Sequence, residues 1–509
     1  MFFVKYISRT VRFLKLPDGD KNLSKRVLHG ISWAVVSTVI SRSLTFGIAL
    51  IQSNLLGKQG YGELGMVLST LLLFGVLSSG YGATCSKFIS ELRLTYPVRA
   101  ARIFALSTTW VVILTIITSS ALIIFSDFIA NNILNEPRLA PLLKLAAIAL
   151  GIQSLIGVCN GVLYGLQAFK ILNLATLSQV IVWFPATAML TYQWGLLGAM
   201  FAYVISYILS FLIYILAVVK ECKRHNFLPV FDNMWLESSV LVNYTLPIVI
   251  NNFLVIPTNW IGNAILSQQR NGYSSLGGYN AASQWRILVL QGPFLLQSTL
   301  SPVLSEMLGK GDISGFSKLF YIAYRTVFGI VILTGVSAIL FSKSLLTIFG
   351  KDFTSEYLLM GLIMLTATII SLSGIVGMAL QLINRNWIAL LVNIVMGVVS
   401  IGLIVVLVPQ YSSVGLAFAF TMAYLLQSFL SIYLLNKFIP EINLFFMSNL
   451  LLKAVLICVI AVLVTQLSGW IGAACQGITI ILAIMFSQQI FHESVSKMKK
   501  YNNKINNSG

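Results

Sequence analysis

Two arginines, Arg42 and Arg286, lie inside long apolar runs, while all fifteen Asp and Glu residues fall in loops, tails or the ends of such runs. An ionised side chain at bilayer depth is expensive and usually functional. A buried cation with no carboxylate nearby calls for an anion from outside the chain. The chemistry these residues point to is binding of an anionic group within a membrane.

Polar residues surround both arginines at helical spacing. Thr38, Ser41, Arg42 and Thr45 fall on one face of the first apolar run, and Gln52 extends the stripe. Tyr279, Ser283 and Arg286 share a face of the eighth, with Asn280, Gln284 and Gln291 beside it. The seventh run carries Asn251, Asn252, Asn259 and Asn263 between and beyond Pro247 and Pro257. Each proline removes a backbone donor and bends a helix, so Pro247 and Pro257 read as hinges. The amides of Asn252, Asn259 and Asn263, which share a face, need partners: either a packed polar interface or, the sharper reading, a water-filled cavity wall. The expected substrate-binding set is therefore Arg42, Arg286, Thr38, Ser41, Thr45, Asn252, Asn259, Asn263, Tyr279, Ser283 and Gln284. Lys144, Arg325 and Lys453 lie near run ends and read as interfacial anchors.

The elements that position these residues must be membrane helices. The chain has 509 residues, 57% hydrophobic and only 9% charged, against about 25% charged in soluble domains. About fourteen runs are long enough to span, with approximate limits 30–55, 64–84, 103–125, 141–166, 172–192, 195–219, 239–266, 276–302, 319–341, 356–384, 387–408, 413–436, 447–467 and 470–491. Helices satisfy every backbone group within one segment, and the runs are too long for barrel strands. The fold class is an all-α polytopic membrane protein.

The net charge of +18 does not point to nucleic acid, because of where it lies. With the N-terminus cytoplasmic, 23 of the 33 Lys and Arg residues fall on that side and five on the other: Lys58, Arg138, Arg270, Lys343 and Lys351. This obeys the positive-inside rule along the chain and places both termini in the cytoplasm. The first 28 residues lack the apolar core of a signal peptide. Phe3, Ile7, Val11 and Leu14 oppose Lys5, Arg9, Arg12 and Lys15, as in an interfacial helix on an anionic leaflet, although a solvated basic tail has the same composition. Five scattered cysteines and three histidines give no metal, haem or disulfide framework. No phosphate loop occurs: Gly57-Lys58 and Gly350-Lys351 lack the following Ser or Thr. The longest loop, Lys220–Ser238, leaves no room for an extramembrane catalytic domain, so neither an enzyme nor a bound cofactor is expected.

A weak repeat divides the chain. Ser90-Glu91-Leu92 matches Ser305-Glu306-Met307, Gly198 matches Gly415, and Phe201-Ala202-Tyr203 with Tyr207 matches Phe418-Ala419-Phe420 with Tyr424. A six-span unit is even, so its copy inserts in the same orientation, and such parallel halves hold a substrate between them. The expected organisation is a basic N-terminal segment (1–28), a first lobe (29–219), a cytoplasmic linker (220–238), a second lobe (239–436), two extra spans (437–491) and a cytoplasmic tail (492–509).

Gly30-Ile31-Ser32-Trp33, the stretch Leu55-Leu56-Gly57-Lys58-Gln59-Gly60-Tyr61-Gly62 and Gly195-Leu196-Leu197-Gly198-Ala199 resemble the bacterial polysaccharide-biosynthesis flippases, including the O-antigen (Wzx-type) flippases. These belong to one superfamily (MOP) with the MATE exporters and the lipid II flippase MurJ. The resemblance implies two six-helix lobes in a V with alternating access, and a cavity lined by the first, second, seventh and eighth helices. It implies an undecaprenyl-pyrophosphate-linked oligosaccharide as cargo, whose diphosphate would supply the anion for Arg42 and Arg286. It also implies a bacterial inner membrane, and polysaccharide polymerase or chain-length proteins as partners. Fourteen spans resemble MurJ, where the final pair helps form a groove for the lipid tail. The alternatives are a MATE-type exporter of cationic drugs, which intramembrane carboxylates would favour, a lipid II flippase, and a polysaccharide polymerase, which would need a large external loop.

Overall fold

The computed structural model describes residues 21–467 apart from Asn384, together with 475–477 and 479; side chains are described from Ser37 onward, with that of Asn386 also outside them. The amphipathic N-terminal segment up to residue 20, most of the fourteenth run and the C-terminal tail lie outside the described residues.

The described elements are helical throughout. The long ones are α1 (Lys21–Gly75), α2 (Tyr81–Leu92), α3 (Pro97–Phe128), α4 (Ala140–Gly165), α5 (Phe169–Arg224), α6 (Leu246–Ser267), α7 (Gly272–Gly309), α8 (Ile313–Leu340), α9 (Tyr357–Leu382), α10 (Asn386–Phe438) and α11 (Leu444–Val464). Among the described residues ten stretches are long and apolar enough to cross a membrane. Three of these are too long to be one span. The 56 residues of α5 would reach about 84 Å as a straight rod, against a hydrocarbon core of about 30 Å.

These three helices fold back on themselves. α1 breaks at Gly57 (φ 69°, ψ −178°), a backbone region only glycine adopts readily. Phe46 and Tyr61, on either side of the break, both touch Phe349. α5 turns at Gly195 (φ 55°, ψ −129°) and α10 at Ser412 (φ 51°, ψ −131°). Just past these turns a Cβ on Gly198 would sit 1.8 Å from the Leu190 carbonyl, and one on Gly415 would sit 2.3 Å from that of Leu407. Gly198 and Gly415 are one of the repeat pairs seen in the sequence. Their shared role is to let the two arms of a hairpin touch.

Two groups of helices pack internally. α1 to α5 form one, and α6 to α10 form the other, with α11 against α8 and α9. In the second group Phe316, Phe320, Tyr324 and Phe328 line one face of α8 and are fully buried. Between the groups, the second arm of α1 and the tight turn Val76–Ser78 meet α6, α2 meets the Leu241–Thr245 segment ahead of α6, and both arms of α1 meet α7. We call the end with the turns at Gly57, Gly195 and Ser412 the far end, and the other the near end.

The second and seventh sequence runs differ from plain rods. The second extends to Leu92 and is interrupted by a short tight turn (Val76–Ser78) and Gly80, at φ 97°. The seventh opens with tight turns from Met234 and a π-turn, Leu241–Thr245, ahead of α6. Pro247 therefore sits in the first turn of α6, where a missing N–H costs little. The irregularity is the π-turn before Pro247, and helix geometry continues through Pro257. Of the two residues read as hinges, Pro247 thus closely follows an irregular turn and Pro257 lies within regular helix.

Candidate functional site

Arg42 and Arg286 flank the same contact between the two groups. Phe46, on the first arm of α1, packs edge-on against Trp285 of α7 with centroids 4.8 Å apart. Arg42 lies one helical turn from Phe46 toward the near end, and Arg286 follows Trp285 directly. Arg42 and Thr38 are exposed, while Ser41, Thr45 and Arg286 are half-buried. Among the described residues no carboxylate comes within 4.0 Å of either guanidinium. A charge at membrane depth without a carboxylate partner is costly, so the site as built favours an anion.

The neighbouring side chains sort by what they bond. Thr45 Oγ1 donates to the Ser41 carbonyl at 2.8 Å, within its own helix. Tyr279 is buried on α7, and both it and Arg286 are close enough to Tyr424 to act on it electrostatically. Gln284 lies beside the Tyr61 hydroxyl. Asn280 Nδ2, Ser283 Oγ and Trp285 Nε1 are buried without a hydrogen-bond partner. Buried polar atoms are nearly always paired with protein or water. Asn280 Nδ2 is packed against Gly65 on the second arm of α1, while Ser283 Oγ and Trp285 Nε1 lie unpaired within one turn of Arg286.

The seventh-run asparagines do something else in this state. Asn252 Nδ2 donates to Ser79 Oγ at 3.0 Å, and Asn263 Nδ2 to Ser69 Oγ at 3.1 Å. Trp260 Nε1 donates to Thr70 Oγ1 at 3.0 Å, and Thr84 and Thr245 share a hydrogen bond of 2.7 Å. Asn259 Nδ2 turns back to the Val255 carbonyl at 2.8 Å. Asn252 and Asn263 thus belong to a polar seam joining α6 to the second arm of α1 and the turn that follows it, rather than to an open cavity wall. The physical reason is pairing: in an apolar surround an amide takes the nearest partner, and here that is a serine on the facing helix.

Sequence reasoning missed the closure of the far end. Lys58 Nζ and Glu356 Oε1 form an ion pair of 2.6 Å across the two groups, with side chains 14% and 16% exposed. Two glycines of α7 accommodate it. A Cβ on Gly277 would lie 1.9 Å from the Lys58 carbonyl, and one on Gly278 would lie 2.7 Å from Cγ of Glu356. Reciprocally, a Cβ on Gly62 would lie 1.9 Å from the Tyr273 carbonyl. Asn54 Nδ2 donates to the Ile348 carbonyl at 3.0 Å, and Phe46, Tyr61, Phe349 and Phe353 fill the space beneath. The signal available in sequence was the run of glycines on both sides, Gly57, Gly60, Gly62 and Gly65 against Gly272, Gly277 and Gly278, the pattern of close helix approach.

This arrangement, with two helical groups closed at one end and a carboxylate-free cationic site between them, has the architecture of an α-helical membrane transporter. The chain belongs to the polysaccharide biosynthesis protein family, whose model matches residues 27–308. In fold it is similar to solved structures of the MOP superfamily. One is a multidrug resistance MATE family transporter in the inward-facing conformation, 14% identical with TM-score 0.68, covering 80% of this chain and 98% of that one. Another is the lipid II flippase MurJ in an inward closed conformation, 15% identical with TM-score 0.66, covering 91% and 99%. A third is a MOP transporter from Pyrococcus furiosus described as having a binding pocket of reverse polarity, 14% identical with TM-score 0.62, covering 81% and 96%. A search of curated proteins returns no match.

Proposed function

We propose that this protein is a flippase that carries an undecaprenyl-pyrophosphate-linked oligosaccharide across the bacterial inner membrane by alternating access. One observation carries the reading: Arg42 and Arg286, from facing helices of the two groups, flank one contact with no carboxylate in reach. A diphosphate meets both cations, and guanidinium groups bind phosphate oxygens in a bidentate manner. Membership of the polysaccharide biosynthesis family supports a lipid-linked glycan as cargo. A MATE-type exporter of cations would need the opposite charge at this place. The topology we propose has fourteen spans and cytoplasmic termini, with the near end cytoplasmic because it carries most of the basic loops. The far-end lock is then external, and this state faces the cytoplasm.

The test is binding and transport by purified protein in lipid vesicles. Each charge-assisted hydrogen bond contributes about 1.5–3 kcal/mol. Arg42→Ala and Arg286→Ala should each weaken binding of undecaprenyl diphosphate by roughly 10- to 100-fold and stop flipping of the glycan-bearing lipid. Unchanged binding and flipping by both variants would remove the basis of the proposal.

A further inference from the structure

We infer that the second helical group contains a separate subsite for the uncharged sugar residues of the cargo, next to the arginine site. It rests on the flippase reading above. The subsite is a cavity of about 410 Å³ between α7, α9 and both arms of α10, within the roughly 300–1,000 Å³ typical of small-molecule pockets. Its polar lining includes Gln297, Ser301, Ser373, Gln381, Asn393 and Gln427, and no Lys, Arg, Asp or Glu lines it. Sugars are recognised through many neutral hydroxyls, and every polar side chain of this wall is an amide or a hydroxyl, set among apolar residues such as Phe294, Met378 and Val392.

The hydrogen-bond directions point to a hydroxyl donor. Asn393 Nδ2 donates to Asn251 Oδ1 at 2.9 Å, and Gln427 Nε2 donates to Asn393 Oδ1 at 2.8 Å. The relay runs from α10 to α6 and leaves Gln427 Oε1 buried without a partner. An orphan acceptor attracts an O–H and repels a phosphate oxygen, so this pocket is not a second anion site. Gly374 keeps the wall polar: a Cβ there would lie 2.9 Å from Gln297 Nε2, which would have to move. Tyr424 lines the same cavity and lies within the electrostatic reach of Arg286. Arg286 and the α7 residues that line the pocket, from Phe294 on, lie about two turns apart on one helix, so a ligand reaching from one to the other would pass Tyr424.

The experiment uses Ser301→Cys as a reporter in the full chain, with the five native cysteines replaced by alanine. Its alkylation by a maleimide is timed with three probes: the host's glycan-bearing undecaprenyl diphosphate, undecaprenyl diphosphate alone, and sodium ions alone. The glycan-bearing lipid should slow labelling roughly tenfold, and the other two should not. Gln427→Leu should then weaken binding of the glycan-bearing lipid roughly tenfold, the equivalent of one lost buried contact, and leave the sugar-free lipid unchanged. Equal protection by both lipids, protection by sodium alone, or no protection would each overturn the sugar subsite. The parent reading fails by a different result, unaltered binding of both lipids when Arg42 and Arg286 are replaced.

Discussion

Gly277→Ala should spring the far end open. In the closed state a Cβ at this position would lie 1.9 Å from the Lys58 carbonyl, where an ordinary van der Waals approach is 3.4 Å or more, so the helices must part by about 1.5 Å. Neither partner can yield alone, because the obstacle is backbone. Parting moves Lys58 from its 2.6 Å contact with Glu356 toward the 4 Å limit of an ion pair. Overpacking of this kind costs about 1–3 kcal/mol. That free energy falls on the closed state alone, which shifts the closed-to-open ratio by about 5- to 150-fold. The assay is the distance between spin labels at the exposed residues Gln59→Cys and Ser355→Cys, which flank the ion pair. The distribution should gain a long-distance population in Gly277→Ala. Gly309→Ala, on the same helix with no atom near its would-be Cβ, should leave it unaltered. An unchanged distribution in Gly277→Ala, with protein folded and inserted, would show that the far end is not held by this glycine contact.

Further outcomes follow from other contacts. Lys58→Glu and Glu356→Lys should each lengthen the same label distance, and the double exchange should restore it; failure of the double variant to recover would reduce the ion pair to a bystander. Gly57→Ala places a side chain in backbone space reserved for glycine and should lower stability by about 1–3 kcal/mol, read as a lower unfolding temperature in detergent. Ser412→Gly, at the turn of α10 that matches Gly195 of α5, relieves a positive φ whose strain outweighs the hydroxyl contact to Ser275 at 3.0 Å and should raise that temperature; a fall would show the contact to be the larger effect. Asn263→Ala should loosen the seam by about 0.6 kcal/mol and leave binding of undecaprenyl diphosphate intact; a loss as large as that of Arg286→Ala would return Asn263 to the binding site.

The rods of the fold were legible because the bilayer leaves so few choices. A run of apolar residues long enough to span must be a helix, and glycine or proline punctuation marks its ends. The breaks expected near residues 193 and 410 fall at Gly195 and Ser412, and the repeat pair Gly198 and Gly415 marks the same hairpin contact in both halves. The second and seventh runs were harder. Gly80 follows Ser78-Ser79 and the π-turn includes Asn243-Tyr244-Thr245, but a polar patch inside an apolar run does not separate a helix break from a polar helix face.

The site was half legible for a reason of chemistry. Arg42 and Arg286 could be singled out because charge at depth is costly anywhere, whichever face it meets. Asn252 and Asn263 were assigned to the binding set, but a polar helix seam and a water-filled wall select the same residues at the same spacing; only the facing residues, Ser79 and Ser69, separate the two cases. The far-end lock was hidden for the opposite reason. Lys58 and Glu356 are almost 300 positions apart, and each alone reads as an ordinary loop charge. What joins them is the absence of side chains at Gly277 and Gly278, which lets a backbone carbonyl and a glutamate stem lie against α7. In a lipid environment, where burying apolar surface does not drive helices together, such close approach supplies the attraction. The same glycines that permit the closed state therefore also set how easily it opens, because any added bulk at 277 acts on that state alone.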